Sequence, residues 1–416
     1  METDIEINSK YPILSRLEFS AGIRKKKEGL KNLFEIDNHE LSVWAKPPSG
    51  KIVSKGCQAC RAGRYLCFYV GKKCNVDCIY CAQGTKQEKW NQPEDPDLIN
   101  DKYHLTEIME MFNNPDAIWA GPNVRCIAYS GGEPFIYLDK VLSLSYFVSR
   151  YYSHIYQMII TNGLLVTEDK LKALYDNGVK EIKFHIGATN FSKKVLDNLE
   201  MASGIMDYVN IETPATPELK EFLIDKKRIH WLENVGVYQI GMGELGSTSI
   251  LHLNKINEIG DKRVIEYFQK LGQLYVCESV IGKSTTAKDM SEVYISPIVS
   301  KEIMYDIMKY AVENKVDVVI NDCSQDAKHF QRFQRNVIEL TTSMAKSAAF
   351  QPPEYIQGEL AKIESQKMKM LEQYNGPQAQ DWLKPLIRRT TRKDENGWHI
   401  KLEELAKSII DYLEKA

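Results

Sequence analysis

Six of the nine cysteines fall between residues 57 and 81, and five of them form two groups whose spacing suits soft-metal chemistry. Cys74, Cys78 and Cys81 stand at C-x3-C-x2-C spacing, directly after the apolar, aromatic run Tyr65–Val70. Three thiolates this close together grip one face of an iron–sulfur cube and leave one iron without a protein ligand. Soft sulfur donors favour that chemistry over hard cations. Structural zinc is the other use of clustered cysteines, although zinc frameworks pair one C-x2-4-C with a second such pair. Upstream, Cys57 and Cys60 form a C-x2-C pair, two ligands of a four-ligand site. Cys323 is the best candidate for a third ligand, and Cys277 or a non-cysteine group for the fourth. That auxiliary site reads as a second iron–sulfur cluster, with zinc as the alternative. Cys67 and Cys126 lie within expected strands and read as core residues.

The elements that must position these residues alternate along the chain. Strands are expected at Tyr65–Val70, Val124–Tyr129, Tyr156–Thr161, Glu181–Ile186, Tyr208–Glu212 and Val235–Ile240. Helical patterns at 105–112, 138–152, 167–177, 192–202 and 217–231 separate them. Six strands alternating with helices predict a parallel sheet, because parallel neighbours need crossover connections. Six units are too few for a closed eight-fold barrel, so the fold class is α/β with a partial (β/α)6 TIM-like barrel. The cysteine loop follows the first strand, Ser130–Pro134 the second, Thr161–Gly163 the third, Thr213–Thr216 the fifth and Gly241–Glu244 the sixth. Ligands of parallel sheets collect at those carboxyl ends.

Residues 1–60 read as a lead-in whose Gly56–Cys60 segment is a tight turn running into the first strand. Residues 61–245 form the barrel, and 246–416 a mostly helical C-terminal extension that supplies the substrate pocket and shares the auxiliary site. In that extension the pattern turns irregular, with a strand near 274–280, a helix at 301–314 and a strand at 317–320. Further helices are expected at 328–346, 353–371 and 402–415.

Gly131-Gly132-Glu133-Pro134 begins 50 residues after Cys81, at the end of the next strand. Glycines there let backbone approach a ligand, and the proline stiffens the turn. Together with C-x3-C-x2-C and Tyr80 before its last cysteine, this resembles the signature of the radical S-adenosylmethionine (radical SAM) superfamily. There is a lesser likeness to a largely archaeal group related to pyruvate formate-lyase activating enzymes. The resemblance implies a [4Fe–4S] cluster on Cys74, Cys78 and Cys81, with S-adenosylmethionine chelating the open iron. It implies that Gly131, Gly132, Glu133 and Pro134 meet the methionine amino group, and that His185 on the fourth strand contacts ribose or carboxylate. Gly243, in the Gly241–Glu244 segment, would lie against adenine. Asn162 joins the cofactor set at the end of the third strand. Asn210 and Glu212, alternating on the fifth, give that strand one polar face suited either to ligand contact or to structural hydrogen bonds. One-electron reduction of the sulfonium would release a 5′-deoxyadenosyl radical that abstracts hydrogen. Cys277 or Cys323 is then a candidate hydrogen donor, a ligand role being the stronger reading of Cys323.

A formal charge of −2 gives no basic footprint of the kind nucleic-acid proteins carry. No apolar stretch approaches the ~20 residues of a membrane span, and the acidic N-terminus is unlike a signal, so a reducing cytoplasm is expected. The leading function is hydrogen abstraction from a small molecule or peptide in a biosynthetic pathway. A one-electron donor such as flavodoxin or ferredoxin would serve it. An RNA substrate is the sister reading, using the basic runs at 24–27 and 388–393. A non-catalytic zinc module that recruits a partner is the reading from another class.

Overall fold

The computed structural model describes residues 47–81, 124–252, 262–278 and 290–324 without interruption. It adds short pieces at 5–6, 13–14, 35–36, 43–45, 98–99, 103–104, 107–108, 255–257, 327–328, 391–394 and 397–400. The helices expected at 105–112, 328–346, 353–371 and 402–415 fall wholly or largely outside these residues, as do the basic run at 24–27 and the first half of the one at 388–393.

Seven parallel strands build the main sheet: β1 (Tyr65–Tyr69), β2 (Cys126–Ser130), β3 (Tyr156–Thr161), β4 (Val179–Phe184), β5 (Tyr208–Ala215), β6 (Gln239–Glu244) and β7 (Val319–Asp322). They lie side by side in chain order. Val43–Ala45 then pairs antiparallel with β7, and Glu35–Ile36 with Val43–Ala45. The sheet does not close: β1 is one edge and Glu35–Ile36 the other. All six expected strands are present, and the strand expected near 317–320 adds to β6 as a seventh.

Strand period two divides each strand between two faces. Phe68, Ile127, Ile159, Ile182, Phe184, Ile211, Ile240 and Ile320 point outward into one buried cluster. Against them pack α2 (Leu138–Tyr151) through Val141 and Leu144, α3 (Glu168–Asp176) through Leu171, and α4 (Lys193–Ser203) through Leu199. Two later helices, α5 (Arg228–Asn234) and α6 (Ile298–Glu313), add Leu232 and Ile303. The residues between them face the lumen and are largely polar on β4 to β7: Glu181 and Lys183, Asn210 and Glu212, Gln239, Asn321.

Three expectations are corrected. Gly56–Cys60 is not a turn but lies within the helix α1 (Lys55–Arg61). Its first-turn donors find partners in the sheet: Gly56 N–H donates to Glu181 Oε2 (3.1 Å) and the Ser54 hydroxyl to Glu181 Oε1 (2.8 Å). A carboxylate at a helix N-terminus satisfies orphan N–H groups, so tertiary contact rather than local propensity makes this helix. Second, Thr213–Ala215 and Gly241–Glu244 extend β5 and β6 instead of following them, because the two strands pair throughout Asn210–Ala215 and Gln239–Glu244. Val235 and Gly236, expected in the sixth strand, instead end α5, with Gly236 at φ +89°.

Third, the described residues between 247 and 297 are regular. Ser247–His252, Lys255–Asn257, Leu274–Glu278 and Met290–Pro297 join an antiparallel sheet completed by Ile5–Glu6 and by Ile13–Leu14, the latter pairing in parallel. Helix Lys262–Leu271 covers it through Val264 and Phe268, with Ile79 and Tyr80 packed alongside. Among the described residues no helix is long and apolar enough to cross a membrane.

Candidate active site and metal centres

The carboxyl ends of β1 to β5 gather the first motif set. Beyond β1 and β2 the chain keeps pairing: Val70 N–H donates to Ser130 O (2.9 Å), Gly132 N–H to Gly71 O (2.8 Å) and Glu133 N–H to Lys73 O (2.8 Å). The base of the cysteine loop is thus zipped to the glycine turn. A Cβ on Gly132 would lie 2.1 Å from Lys73 O, and one on Gly131, at φ +133°, 2.6 Å from Gly71 O. Only glycine fits this approach.

Glu133 is fully buried. Its Oε1 accepts from Phe135 N–H (3.1 Å) and Thr161 Oγ1 (2.7 Å), and its Oε2 from Asn162 N–H (2.8 Å). Burial pushes its carboxyl up, and these three donors pull against that. The side chain therefore locks the turn to β3, and any hold on a methionine amino group by this motif falls mainly to its backbone. Pro134 opens a short 3-10 helix, Pro134–Tyr137, at the position where its missing N–H costs nothing.

Asn162 reaches from β3 to the cysteine loop: its Nδ2 donates to Asn75 Oδ1 (2.7 Å) and lies 3.8 Å from Cys74 Sγ. Cys74 is buried, and Cys78 and Cys81 are partly exposed. Tyr80 stacks on His185 with ring centroids 5.8 Å apart. His185 Nδ1 accepts from Ala188 N–H (3.2 Å), so the neutral ring carries its proton on Nε2. Burial holds its pKa down at about 4, against an opposing push from Glu212. The folded value lies below the unfolded ~6.5, so this contribution to stability is complete above that pH and is lost as pH falls toward 4. Acidification to about pH 5 should cost roughly 2 kcal/mol through this ring. Thermal melting of wild type and His185→Gln at neutral pH and at about pH 5 reads it: the acid-induced loss shrinks in the variant.

Deeper in the lumen, Lys183 is buried and bonds Glu212 Oε2 (2.8 Å). Burial alone would raise the Glu212 carboxyl; the Lys183 ammonium outweighs it and holds it below the usual carboxylate range. Asn210 donates to Glu181 Oε1 (2.8 Å), while its own Oδ1 is buried without a partner. Gly243 lies on the lumen side of β6 opposite Pro214. Cys57, Cys60 and Cys323 also face this space. Cys277 sits on the antiparallel sheet, opposite Tyr294. Lys183 and Gln239 were not singled out in the sequence, yet the signal was legible. Glu181, Lys183 and His185 alternate with Ile182, Phe184 and Ile186, a polar inner face on a buried strand.

The donor set suits soft-metal chemistry: three thiols in one loop, braced by a turn with no room for side chains. Among the described residues, no three His, Cys, Asp or Glu side chains converge as ligands of a single metal ion. A cluster, larger than an ion, is held by thiols standing further apart.

Residues 68–209 match the family model described as the Radical SAM superfamily. No curated protein matches the chain. Among solved structures, BtrN in complex with AdoMet and 2-DOIA is 20% identical, aligned over 35% of this chain and 56% of its own, with a TM-score of 0.27. The aligned part is thus little more than half of BtrN. SuiB of Streptococcus suis bound to S-adenosylmethionine is 12% identical over 73% of this chain and 55% of its own, with a TM-score of 0.39. Coproporphyrinogen III oxidase (HemN) from Escherichia coli is 14% identical over 87% and 94%, with a TM-score of 0.31.

Proposed function

Residues 68–209 of this chain belong to the radical SAM superfamily, and on that premise we propose that it abstracts hydrogen from a small-molecule or peptide substrate of a biosynthetic pathway. In this reading Cys74, Cys78 and Cys81 hold a [4Fe–4S] cluster, and the Gly131–Pro134 turn, Asn162, Tyr80 and His185 surround S-adenosylmethionine. The observation that carries it is the zipped approach of the cysteine loop to the glycine turn, two motifs far apart in sequence brought together with no space for a Cβ. When bound, the cluster and S-adenosylmethionine supply a 5′-deoxyadenosyl radical as the hydrogen-abstracting group.

The chain's own residues prepare that event. Glu133 fixes the turn against β3, and Asn162 ties β3 to the loop. Neutral His185 offers Nε2–H as a donor to a ribose or carboxylate oxygen. Helix Lys262–Leu271 packs on the loop through Ile79 and Tyr80, and Arg263 bonds Asp77 at the surface (3.0 Å). A cytoplasmic flavodoxin or ferredoxin suits the role of electron donor. A second, auxiliary site on Cys57, Cys60 and Cys323 belongs to the same reading.

The test is direct. Chain reconstituted anaerobically with iron and sulfide, reduced, and given S-adenosylmethionine should be brown and should form 5′-deoxyadenosine. Colourless protein carrying two zinc ions and cleaving no S-adenosylmethionine would instead identify a zinc module.

A further inference from the structure

The floor of the lumen holds side chains for which the radical chemistry has no use. Cys57 and Cys60 rise from α1, and Cys323 follows β7. Lys183 Nζ lies 3.3 Å from Cys57 Sγ, and Gln239 Nε2 donates to the same sulfur at 3.0 Å. Asn321 Nδ2 donates to Cys323 Sγ at 3.0 Å. A neutral thiol is a weak acceptor, so three N–H groups aimed at two sulfurs form an environment built for sulfur carrying negative charge. The buried Lys183 ammonium, already bonded to Glu212, is held against Cys57 by the same geometry.

We propose that Cys57, Cys60 and Cys323 ligate a second iron–sulfur cluster at the lumen floor, with Lys183, Gln239 and Asn321 donating to its sulfur ligands. This deepens the reading above and rests on it for the class of metal. Zinc on the same thiols is the competing outcome of the test. Hydrogen bonds and charge at cluster sulfurs set the reduction potential, which gives Lys183 a positioning and tuning role. Cys277 is left out of the proposed set, its strand belonging to the antiparallel sheet.

The experiment uses the full chain with Cys74, Cys78 and Cys81 all changed to alanine, so that any remaining cluster is the second one. After anaerobic reconstitution this protein should keep about two to four irons with matching sulfide. Adding Cys57→Ala and Cys60→Ala, or Cys323→Ser alone, should remove them, while Cys277→Ala should not. Lys183→Met should keep the iron and lower the midpoint potential followed by electron paramagnetic resonance. Circular dichroism checks each fold. Should the Cys57/Cys60 pair fail to fold, Cys323→Ser decides. Colourless or zinc-loaded triple variant, iron retained in Cys323→Ser, iron lost with Cys277→Ala, or an unmoved potential in Lys183→Met would overturn the corresponding part. Failure of the radical reading shows separately, as wild-type protein that forms no 5′-deoxyadenosine.

Discussion

Exchanging Cys78 for alanine should lower 5′-deoxyadenosine formation on the order of a thousandfold or more while the chain stays folded. Three thiols and an open iron leave no spare ligand, so loss of one thiol removes the site rather than weakening it. Cys78 is the informative choice among the three. It is partly exposed, and its carbonyl accepts from Cys81 N–H (3.0 Å), a bond that alanine keeps. Cys74 is buried within reach of Asn162, so its replacement mixes lost chemistry with lost packing. Anaerobic product analysis beside a thermal melt separates the two. Full product formation by a folded Cys78→Ala chain would remove the proposed cluster from this loop.

Glu133→Ala should produce the largest loss of stability among single substitutions at this end of the barrel, roughly 3–5 kcal/mol. The substitution leaves two backbone N–H groups and a threonine hydroxyl without their acceptor in a buried place. Each unsatisfied donor costs about 1–3 kcal/mol, and some relaxation or water entry offsets the sum. Glu133→Gln keeps the shape but swaps one acceptor oxygen for a donor, so it should fall between wild type and alanine. Denaturant unfolding of the three proteins reads the order. If alanine and wild type unfold alike, the carboxylate is not the brace described here.

How far these features were legible in the sequence depends on the range of the forces that make them. Strand alternation is a local signal, and β1 to β6 were all expected, with β3 at its observed limits, Tyr156–Thr161. The pairing of cysteine loop and glycine turn was legible because two motifs each carry their own residue types. The task of Glu133 was not: that it faces Thr161 and Asn162 depends on how β2 and β3 end beside each other. Helix α1 was misread for a like reason. Its residues Lys-Gly-Cys-Gln-Ala-Cys-Arg carry a glycine in the first turn, Ser54 at the N-cap turns its hydroxyl to Glu181 instead of capping, and the stabilising carboxylate comes from Glu181. Of the antiparallel sheet after 245 only the strand at Leu274–Glu278 was expected; its partners include segments from the first fourteen residues, which no local signal joins to it.

The seating of α1 also orders the events by which the chain folds. Ser54 bonds Glu181 across 127 residues and Gln239 across 185, and Cys57 bonds Gln239 across 182. None of these contacts can form until β4 and β6 have been made, although α1 leaves the ribosome well before either. Contacts of such high sequence separation slow folding, because closure of the intervening chain must come first. During synthesis the Cys57 and Cys60 thiols therefore stay accessible, without their amide and ammonium partners, until most of the barrel has emerged. The floor of this barrel is thus built after the strands it rests on, and those thiols are enclosed by the docking of one seven-residue helix.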